Sequence, residues 1–441
     1  MSAAAEPAIS EASSLPPNFC RNFSLGVFNG AAFIFAETLI SADLVLTNFL
    51  SKLTTSNFLI GLVVPLRDSG WYLPQLFVSS YLQYRDRMLP IYRHMSVVRS
   101  VVWLGMGLAI LLIRDPIALL SVFYALFTIN SLASGVSGLS FMDVVAKTIP
   151  SRRRGSFFGS RLFFGSLLGL AASGLVDAAL GGTLGFPYFT AIALLCFVSW
   201  AAASSGLFAF SIIREPPGEI REEPSTLGQH VRRAARLPRD NHNFRLLLIG
   251  RAMLILTYMA APFYGLYATR ELGADDRIIG VFLAARTIAF LVANPAWARI
   301  SNRRGNRLVV LIALLFGVLM PIAALIVKPI LNLSGVPQAH WVYFYVPVFV
   351  LWGAFESGVG VGGVNLLLDL APPSDRSIYI GLTNSVLGVA LLSTALGGVL
   401  VDWIGLRGVF VFALACYLMG FAAIARMRDP RGLIEEGRSR A

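Results

Sequence analysis

The second half of this chain repeats the first. Polar residues and glycines recur in matched positions about 220 residues apart. The matched sets are Asn22-Phe23 and Asn243-Phe244, Gly61 with Arg67 and Gly280 with Arg286, and Arg154 with Gly159 and Arg376 with Gly381. Chance similarity between apolar segments would drift in spacing and would not align arginines and asparagines. The sequence therefore predicts two lobes of one design.

The composition is that of an integral membrane protein. Hydrophobic residues make up 56% of the 441 residues, charged residues only 14%, and the mean hydropathy is +0.70. These values exclude an ordinary soluble globular protein. Apolar stretches long enough to cross the bilayer as helices recur along the chain. Twelve are predicted, at 23–50, 58–82, 97–113, 116–142, 156–180, 186–213, 244–269, 278–298, 308–326, 341–368, 378–401 and 409–425.

The basic residues set the predicted orientation. The net charge is +12, and most of the 36 Lys and Arg residues fall on the side of the membrane that carries both termini. The loops of the opposite side hold only Lys52, Arg114, Arg270, Arg277, Lys328 and Arg407. By the positive-inside rule, both termini are expected in the cytoplasm and the protein in the cell (inner) membrane. The charge thus indicates contact with membrane lipid and no nucleic acid.

The predicted organisation has two six-helix lobes, at 22–213 and 243–427. A basic cytoplasmic linker, 214–242, joins them, and residues 231–237 within it form either a short helix on the inner leaflet or a plain solvated linker. Residues 1–21 are expected to be a disordered cytoplasmic tail without a cleavable signal, and 428–441 a second cytoplasmic tail. The fold class is all-α, with twelve transmembrane helices in two pseudo-symmetric bundles.

The chain shows no pattern of an enzyme. It has no phosphate-binding G-x-x-x-x-G-K-[ST] loop, and its four histidines are scattered without metal-ligand spacing. Its three cysteines, Cys20, Cys196 and Cys416, form no framework of pairs. We therefore expect no catalytic residues, no metal and no cofactor, and a monomer.

A loop after the eighth predicted span carries a family signature. Residues 298–307 read Ala-Arg-Ile-Ser-Asn-Arg-Arg-Gly-Asn-Arg. This segment resembles the G-x-L-A-D-R-x-G-R-K loop of the major facilitator superfamily, in which a glycine turn and cations latch one conformation at the helix ends. Two positions depart from the signature, since Ala298 replaces its first glycine and Asn302 its aspartate. The resemblance implies a latch, weakened here, at Asn302, Arg303, Gly305 and Arg307.

Two carboxylates within apolar spans are candidates for proton coupling. An ionisable group at bilayer depth costs about 2.5 to 3.5 kcal/mol and is a functional candidate by default. Glu37 lies on a polar stripe of the first span with Asn29, and Glu356 lies in the tenth span. Because a medium of low dielectric constant favours the protonated acid, either could load and release a proton. The alternative is a permanent ion pair, Glu37 with Arg251, or Glu356 with Arg67 or Arg286.

Seven residues are predicted to line a central substrate cavity. They are Asn29, Arg67, Arg251, Tyr258, Arg286, Tyr345 and Trp352. Arg67 and Arg286 occupy matched repeat positions, so they either clamp an anionic solute or each hold their own lobe, Arg67 through Asp68. Tyr345 and Trp352 follow helical spacing and either clamp an organic solute or pack the core.

These features predict secondary active transport of a small organic solute by alternating access. Protons are the expected coupling ion, and sodium stays an alternative. A second class of function is a transport-inactive relative that acts as a membrane sensor or assembly partner, which the weakened latch favours. The superfamily fold serves many solutes, so the sequence does not identify the substrate.

Overall fold

The computed structural model describes residues 18–82, 85–217, 236–371 and 376–428. Within these ranges every regular element is a helix. The predicted N-terminal tail up to residue 17, the segment 231–235 of the proposed linker helix and the C-terminal tail from 429 lie outside the described residues.

Seven helices form the first half. They are α1 (Phe19–Leu39), α2 (Val45–Leu53), α3 (Asn57–Leu82), α4 (Leu89–Leu112), α5 (Pro116–Thr148), α6 (Ser151–Leu180) and α7 (Tyr188–Ser211). The second half has seven α-helices: α8 (His242–Leu256), α9 (Ala261–Glu271), α10 (Ile278–Arg304), α11 (Asn306–Ser334), α12 (Val346–Leu370), α13 (Arg376–Ser393) and α14 (Gly397–Ala425). Short 3-10 segments precede α9, α12 and α14, at Thr257–Met259, Gln338–Tyr345 and Thr394–Leu396.

Nine stretches of the described chain are long and apolar enough to cross a membrane. They cover 89–112, 116–148, 156–180, 188–211, 242–271, 278–304, 306–334, 340–370 and 382–425. The last runs through α13 and α14, and α1 and α3 are not among them. Those two helices carry Glu37 and the Arg67-Asp68 pair. The count of twelve spans therefore stays a prediction.

The first and seventh predicted spans are interrupted rather than continuous. The first breaks at residues 40–44, between α1 and α2, where the Thr47 hydroxyl donates to the Ala42 carbonyl at 2.6 Å. Such side-chain bonds compete with the helical ladder. The seventh breaks between α8 and α9, where Pro262 in the first turn of α9 has no N–H to continue the preceding helix. The two breaks occupy matched places in the repeat.

Matched asparagines make the same contact in both halves. Asn22 donates to the Arg214 carbonyl at 3.1 Å and accepts from the Arg214 N–H at 3.2 Å. Asn243 donates to the Arg428 carbonyl at 3.3 Å and accepts from the Arg428 N–H at 3.0 Å. Each asparagine thereby ties the first helix of its half to the chain that leaves its last helix. The sequence repeat of Asn22 and Asn243 is therefore also a repeat of the hydrogen bonds that these two residues make.

The two halves meet at matched places. The helices of each half pack mainly on one another, and the halves touch along α6 with α10 and along α3 with α13 and α14. A Cβ atom on Gly61 would lie 3.1 Å from the backbone nitrogen of Gly398, and one on Gly280 would lie 2.6 Å from that of Asp177. Gly61 and Gly280 are a repeat pair, and the residues that they approach, Gly398 and Asp177, also lie about 220 residues apart in the sequence. Small residues thus allow two equivalent close approaches.

Candidate functional site

A cavity of about 490 Å³ lies between the two halves. It is bounded by α1, the break after it, α3, α5, α6, α10 and α12. Its lining contains six charged residues, Glu37, Asp43, Arg67, Asp68, Arg286 and Glu356, and three aromatic ones, Phe33, Trp71 and Phe290. Four acids and two bases give this lining an excess of negative charge. Among the predicted site residues, the cavity brings together Glu37, Arg67, Arg286 and Glu356.

Arg286 links the halves at the centre of this cavity. Its Nε donates to Glu356 Oε2 at 2.9 Å and its Nη2 to Oε1 at 3.1 Å, a bidentate pair within the second half. Its Nη1 pairs with Asp43 of the first half. The guanidinium also lies 4.4 Å from the ring centroid of Trp352, in a cation–π contact. The pairing of Glu356 with Arg286 is one of the alternatives that the sequence left open.

Asp43 is a site residue that the sequence analysis missed. It lies in the break between α1 and α2, its side chain is 6% exposed, and it also accepts a hydrogen bond from Ser41. The signal was present, since the rule that selected Glu37 applies to any carboxylate within an apolar span. The predicted span 23–50 included Asp43 without assigning it a role.

Arg67 differs from its repeat partner. Its Nε donates to the neighbouring Asp68 at 2.7 Å, so the pair lies within one half. Arg67 therefore makes the local contact that the sequence analysis gave as the alternative to an anion clamp. The matched arginines have diverged: Arg67 is neutralised by its own neighbour and Arg286 by carboxylates from both halves.

Glu37 faces the central cavity. Its side chain is exposed to the cavity, and no hydrogen bond or ion pair of Glu37 occurs within the described part of the chain. The ion pair with Arg251, which the sequence left open as the alternative to proton coupling, is not formed. Arg67 and Arg99 are the cations near enough to interact with the Glu37 carboxylate. Glu37 is therefore a carboxylate held near cations but free to bind.

Arg99 corrects the sequence analysis of the third span. That span was predicted to begin at 97, which places Arg99 near its end, but α4 begins at Leu89. Arg99 therefore lies inside the helix and is 4% exposed. It donates to Asn130 and Ser137, each at 3.3 Å, and lies 4.9 Å from the Phe33 ring. It supplies positive charge behind the wall that carries Phe33 and Glu37.

Asn29 does not line the cavity. It is 4% exposed and donates to Tyr92 Oη at 3.2 Å and to the Gly206 carbonyl at 2.9 Å. Its Oδ1 accepts from Arg161 Nη1 at 3.0 Å. Asn29 thus joins α1 to α4, α6 and α7. The polar stripe of the first span turns toward the cavity only from Phe33 onward.

The aromatic stripe of the tenth span belongs to the core. Tyr345 is fully buried and donates to the Tyr264 carbonyl at 3.1 Å, so it does not line the cavity. Phe349 stacks on Phe282 with ring centroids 4.0 Å apart. Trp352 is 4% exposed and stands behind Arg286. The stripe supports the arginine and leaves no face of Tyr345 for a solute.

Arg251 and Tyr258 line a second chamber of about 350 Å³. This chamber shares Arg67, Asp68 and Trp71 with the central cavity, so the two adjoin. The remaining wall is formed by Tyr72 and by apolar side chains of α8, α12 and α13. Both predicted residues thus border the space between the halves, at a place separate from Glu37.

The signature loop holds helix ends together within the second half. Gly305 has φ 91°, which allows the sharp turn between α10 and α11. Arg307 donates to the Ile424 and Ala425 carbonyls at 3.2 and 2.6 Å, at the negative end of α14. The carboxylate of Asp369 is engaged by Asn306, at 2.7 Å. Arg303 is exposed, and Asn302 also makes an interaction.

The comparisons with known proteins agree with this architecture. A family model described as the Major Facilitator Superfamily matches residues 246–440. The resemblance to the major facilitator superfamily is confirmed. The superfamily match covers the second half, and no closer subfamily is resolved.

Two kinds of similar protein were found beside the family model. The multidrug resistance protein MdtG of Dickeya zeae (strain Ech586) is 28% identical over 184 residues, which span 39% of this chain and 41% of that protein. A crystal structure of a mutant of the nucleoside transporter NupG has a TM-score of 0.68 at 13% identity, covering 92% of this chain and all of that one. A bacterial homologue of the iron transporter ferroportin, in its inward-facing state, has a TM-score of 0.67 at 12% identity, covering 92% and 98%. Over 92% of its length, this chain therefore has a fold similar to that of these two transporter structures.

Proposed function

We propose that this protein is a secondary active transporter that moves a small organic solute across the cell (inner) membrane by alternating access. The proposal includes twelve spans in two six-helix bundles, cytoplasmic termini, and a monomer as the working unit. The observation that carries it is the cavity between the halves, crossed by an arginine that pairs with a carboxylate of each half. A cavity of this kind suits a solute that is released when the halves move apart.

The distribution of contacts between the halves supports alternating access. Besides the ion pair at the cavity, four polar contacts between described residues join the halves on the face away from the termini. They are Lys52 with Asp276 at 3.0 Å, Asn57 with Asp402 at 2.6 Å, Arg270 with Asn57 at 2.9 Å, and Arg277 with Asp177 at 3.1 Å. We call these four contacts the outer gate. A rocking motion that separates the halves at this face would break the outer gate and open the cavity to the side of the membrane opposite the termini.

Glu37 is the proton site that the geometry favours. Glu356 is committed to Arg286 by two hydrogen bonds, whereas Glu37 faces the cavity unpaired within the described chain. A proton on Glu37 would remove one negative charge from a cavity lining in which acidic residues outnumber basic ones. The solute and the proton would then share one cavity, which is the arrangement that coupling requires.

Proteoliposomes containing a pH-sensitive dye test this proposal. Solutes that stabilise the purified protein against heating are added outside, and the internal pH and solute content are followed. In wild type, movement of the solute should change the internal pH. Glu37→Gln should bind the solute without moving protons, while Glu271→Gln, which alters a carboxylate paired with Lys328, should behave as wild type.

Two outcomes count against the proposal. Solute movement with no change of internal pH in wild type excludes proton coupling and leaves sodium as the ion to test. A solute that binds and is never moved, in protein that remains folded, favours the sensor or assembly-partner alternative.

A further inference from the structure

We infer that the second chamber is the subsite for an anionic group of the transported solute, a carboxylate held by Arg251 with Tyr72 and Tyr258. This inference rests on the proposed function, because it assigns one end of the solute that the cavity would carry. The relevant observation is that Arg251 lines an open chamber and has no counter-ion among the residues that the structure describes.

Arg251 stands apart from the other arginines of the cavity. Arg67 and Arg286 each pair with a carboxylate. Arg251 makes no ion pair or hydrogen bond within the described residues, and it lines the chamber together with Tyr72 and Tyr258. A guanidinium in an apolar span is costly unless it meets a partner or water. The missing partner is therefore expected from outside the chain.

Apart from the Arg67–Asp68 pair, the polar side chains of the chamber are Arg251, Tyr72 and Tyr258, which can all donate hydrogen bonds. Arg251 offers a planar fork of N–H groups that matches a carboxylate, and the two tyrosines offer O–H groups. Neither tyrosine hydroxyl makes a hydrogen bond in the described chain. The rest of the chamber wall away from Arg67 and Asp68 is apolar, formed by Leu254, Ile255, Phe355, Val359, Leu387 and Leu391. Donors in apolar surroundings strengthen the attraction for an anion.

The neighbouring charges direct the anion to this chamber rather than to the central cavity. Glu37, Asp43 and Glu356 line the central cavity and would repel a second carboxylate. Between the chambers, Asp68 is neutralised by Arg67 and Trp71 offers a ring surface to both sides. A solute with an anionic end and an apolar body would place the anion at Arg251 and its body along Trp71.

Matched probes test the subsite without requiring transport. Phenylacetate, 4-phenylbutyrate and N-acetylphenylalanine are each compared with the corresponding uncharged amide, by thermal stabilisation and by quenching of tryptophan fluorescence of the purified full-length protein. At least one carboxylate should bind and its amide should bind about tenfold or more weakly. Arg251→Gln should abolish this preference for the anion, and Arg251→Lys should retain part of it.

The control is Arg245→Gln, on the same helix. Arg245 is exposed and contacts His242, so its removal should leave the preference intact. Carboxylates that bind equally well to Arg251→Gln, or that fail to bind folded wild type in all three pairs, would overturn the inference. Binding that depends on Arg251 in a protein that moves no solute would instead overturn the proposed function and leave the subsite standing.

Discussion

Arg286 of the second half and Asp43 of the first half form an ion pair across the central cavity. The guanidinium is 20% exposed and the carboxylate 6%, so the pair is shielded from bulk water on most sides. The same arginine holds Glu356 in its own half. Arg286 therefore pairs with a carboxylate of each half. A change at Arg286, Asp43 or Glu356 will alter the strength of the contact between the halves.

Asp43→Asn should destabilise the closed form of the outer gate. Removing one partner of a buried ion pair typically costs about 3 to 5 kcal/mol, because a charge is left uncompensated. Here Glu356 still neutralises Arg286, so we expect the lower end of that range. The measurement is thermal unfolding in detergent, together with the distance between spin labels placed on the two halves at the face away from the termini.

The matched control is Asp276→Asn in the outer gate. Lys52 of that pair is 42% exposed, and exposed pairs contribute about 0 to 1 kcal/mol. If Asp43→Asn costs no more than Asp276→Asn, the central pair does not join the halves. A double variant, Asp43→Asn with Arg286→Gln, should lose less than the sum of the two single losses.

Glu37→Gln should leave the stability of the protein unchanged or slightly raised. Glu37 makes no hydrogen bond or ion pair in the described chain, so an amide removes a costly charge and breaks no contact. Glu356→Gln, in contrast, should destabilise, because it removes half of a bidentate pair. Thermal unfolding of both variants separates the two roles. A clear loss of stability in Glu37→Gln would show that this carboxylate has a structural partner.

The sequence predicted the repeat and the charged residues of the cavity better than it predicted their partners. Glu37, Arg67, Arg286 and Glu356 were selected because a charge in an apolar span must meet water or a partner, and this cost does not depend on the details of packing. The repeat spacing also placed Gly61 and Gly280 correctly at equivalent sites, because both positions require a small residue at a helix crossing.

Side-chain direction could not be predicted in the same way. Asn29 shares a helical stripe with Glu37, but its partner Arg161 belongs to another helix far along the chain. Periodicity defines a face of a helix and does not say which neighbour covers it. Tyr345 was misplaced for the same reason, since the rings that bury it come from α9, α10 and α12. The break at residues 40–44 goes with a side-chain hydrogen bond of Thr47, and the break near 257–260 with the missing N–H of Pro262; hydropathy reports neither.

Gly398→Ala should open the contact between α3 and α14. A Cβ at this position would lie 2.1 Å from the Asn57 carbonyl oxygen, a backbone atom that cannot move aside alone. The control is Gly360→Ala, where a Cβ meets nothing within 4 Å. We expect Gly398→Ala to increase labelling of a cysteine introduced at Leu53 by a membrane-impermeant maleimide, in a background without Cys20. Equal labelling in the two variants would mean that this crossing does not hold the outer gate.

Asn22→Ala and Asn243→Ala should destabilise by similar amounts, because each removes the same two hydrogen bonds. Each asparagine is largely buried, at 2% and 8% exposed, and the backbone groups of Arg214 and Arg428 would lose their side-chain partner. Such losses cost about 1 to 3 kcal/mol. Asn365→Ala is the control, since Asn365 is exposed and its side chain donates to the Val361 carbonyl of its own helix. Thermal unfolding measures all three, and a large difference between Asn22→Ala and Asn243→Ala would show that the halves share the contact but not its energetic weight. Equal losses would show that the duplicated design still stabilises both halves in the same way, at the point where each half ties its first helix to its last.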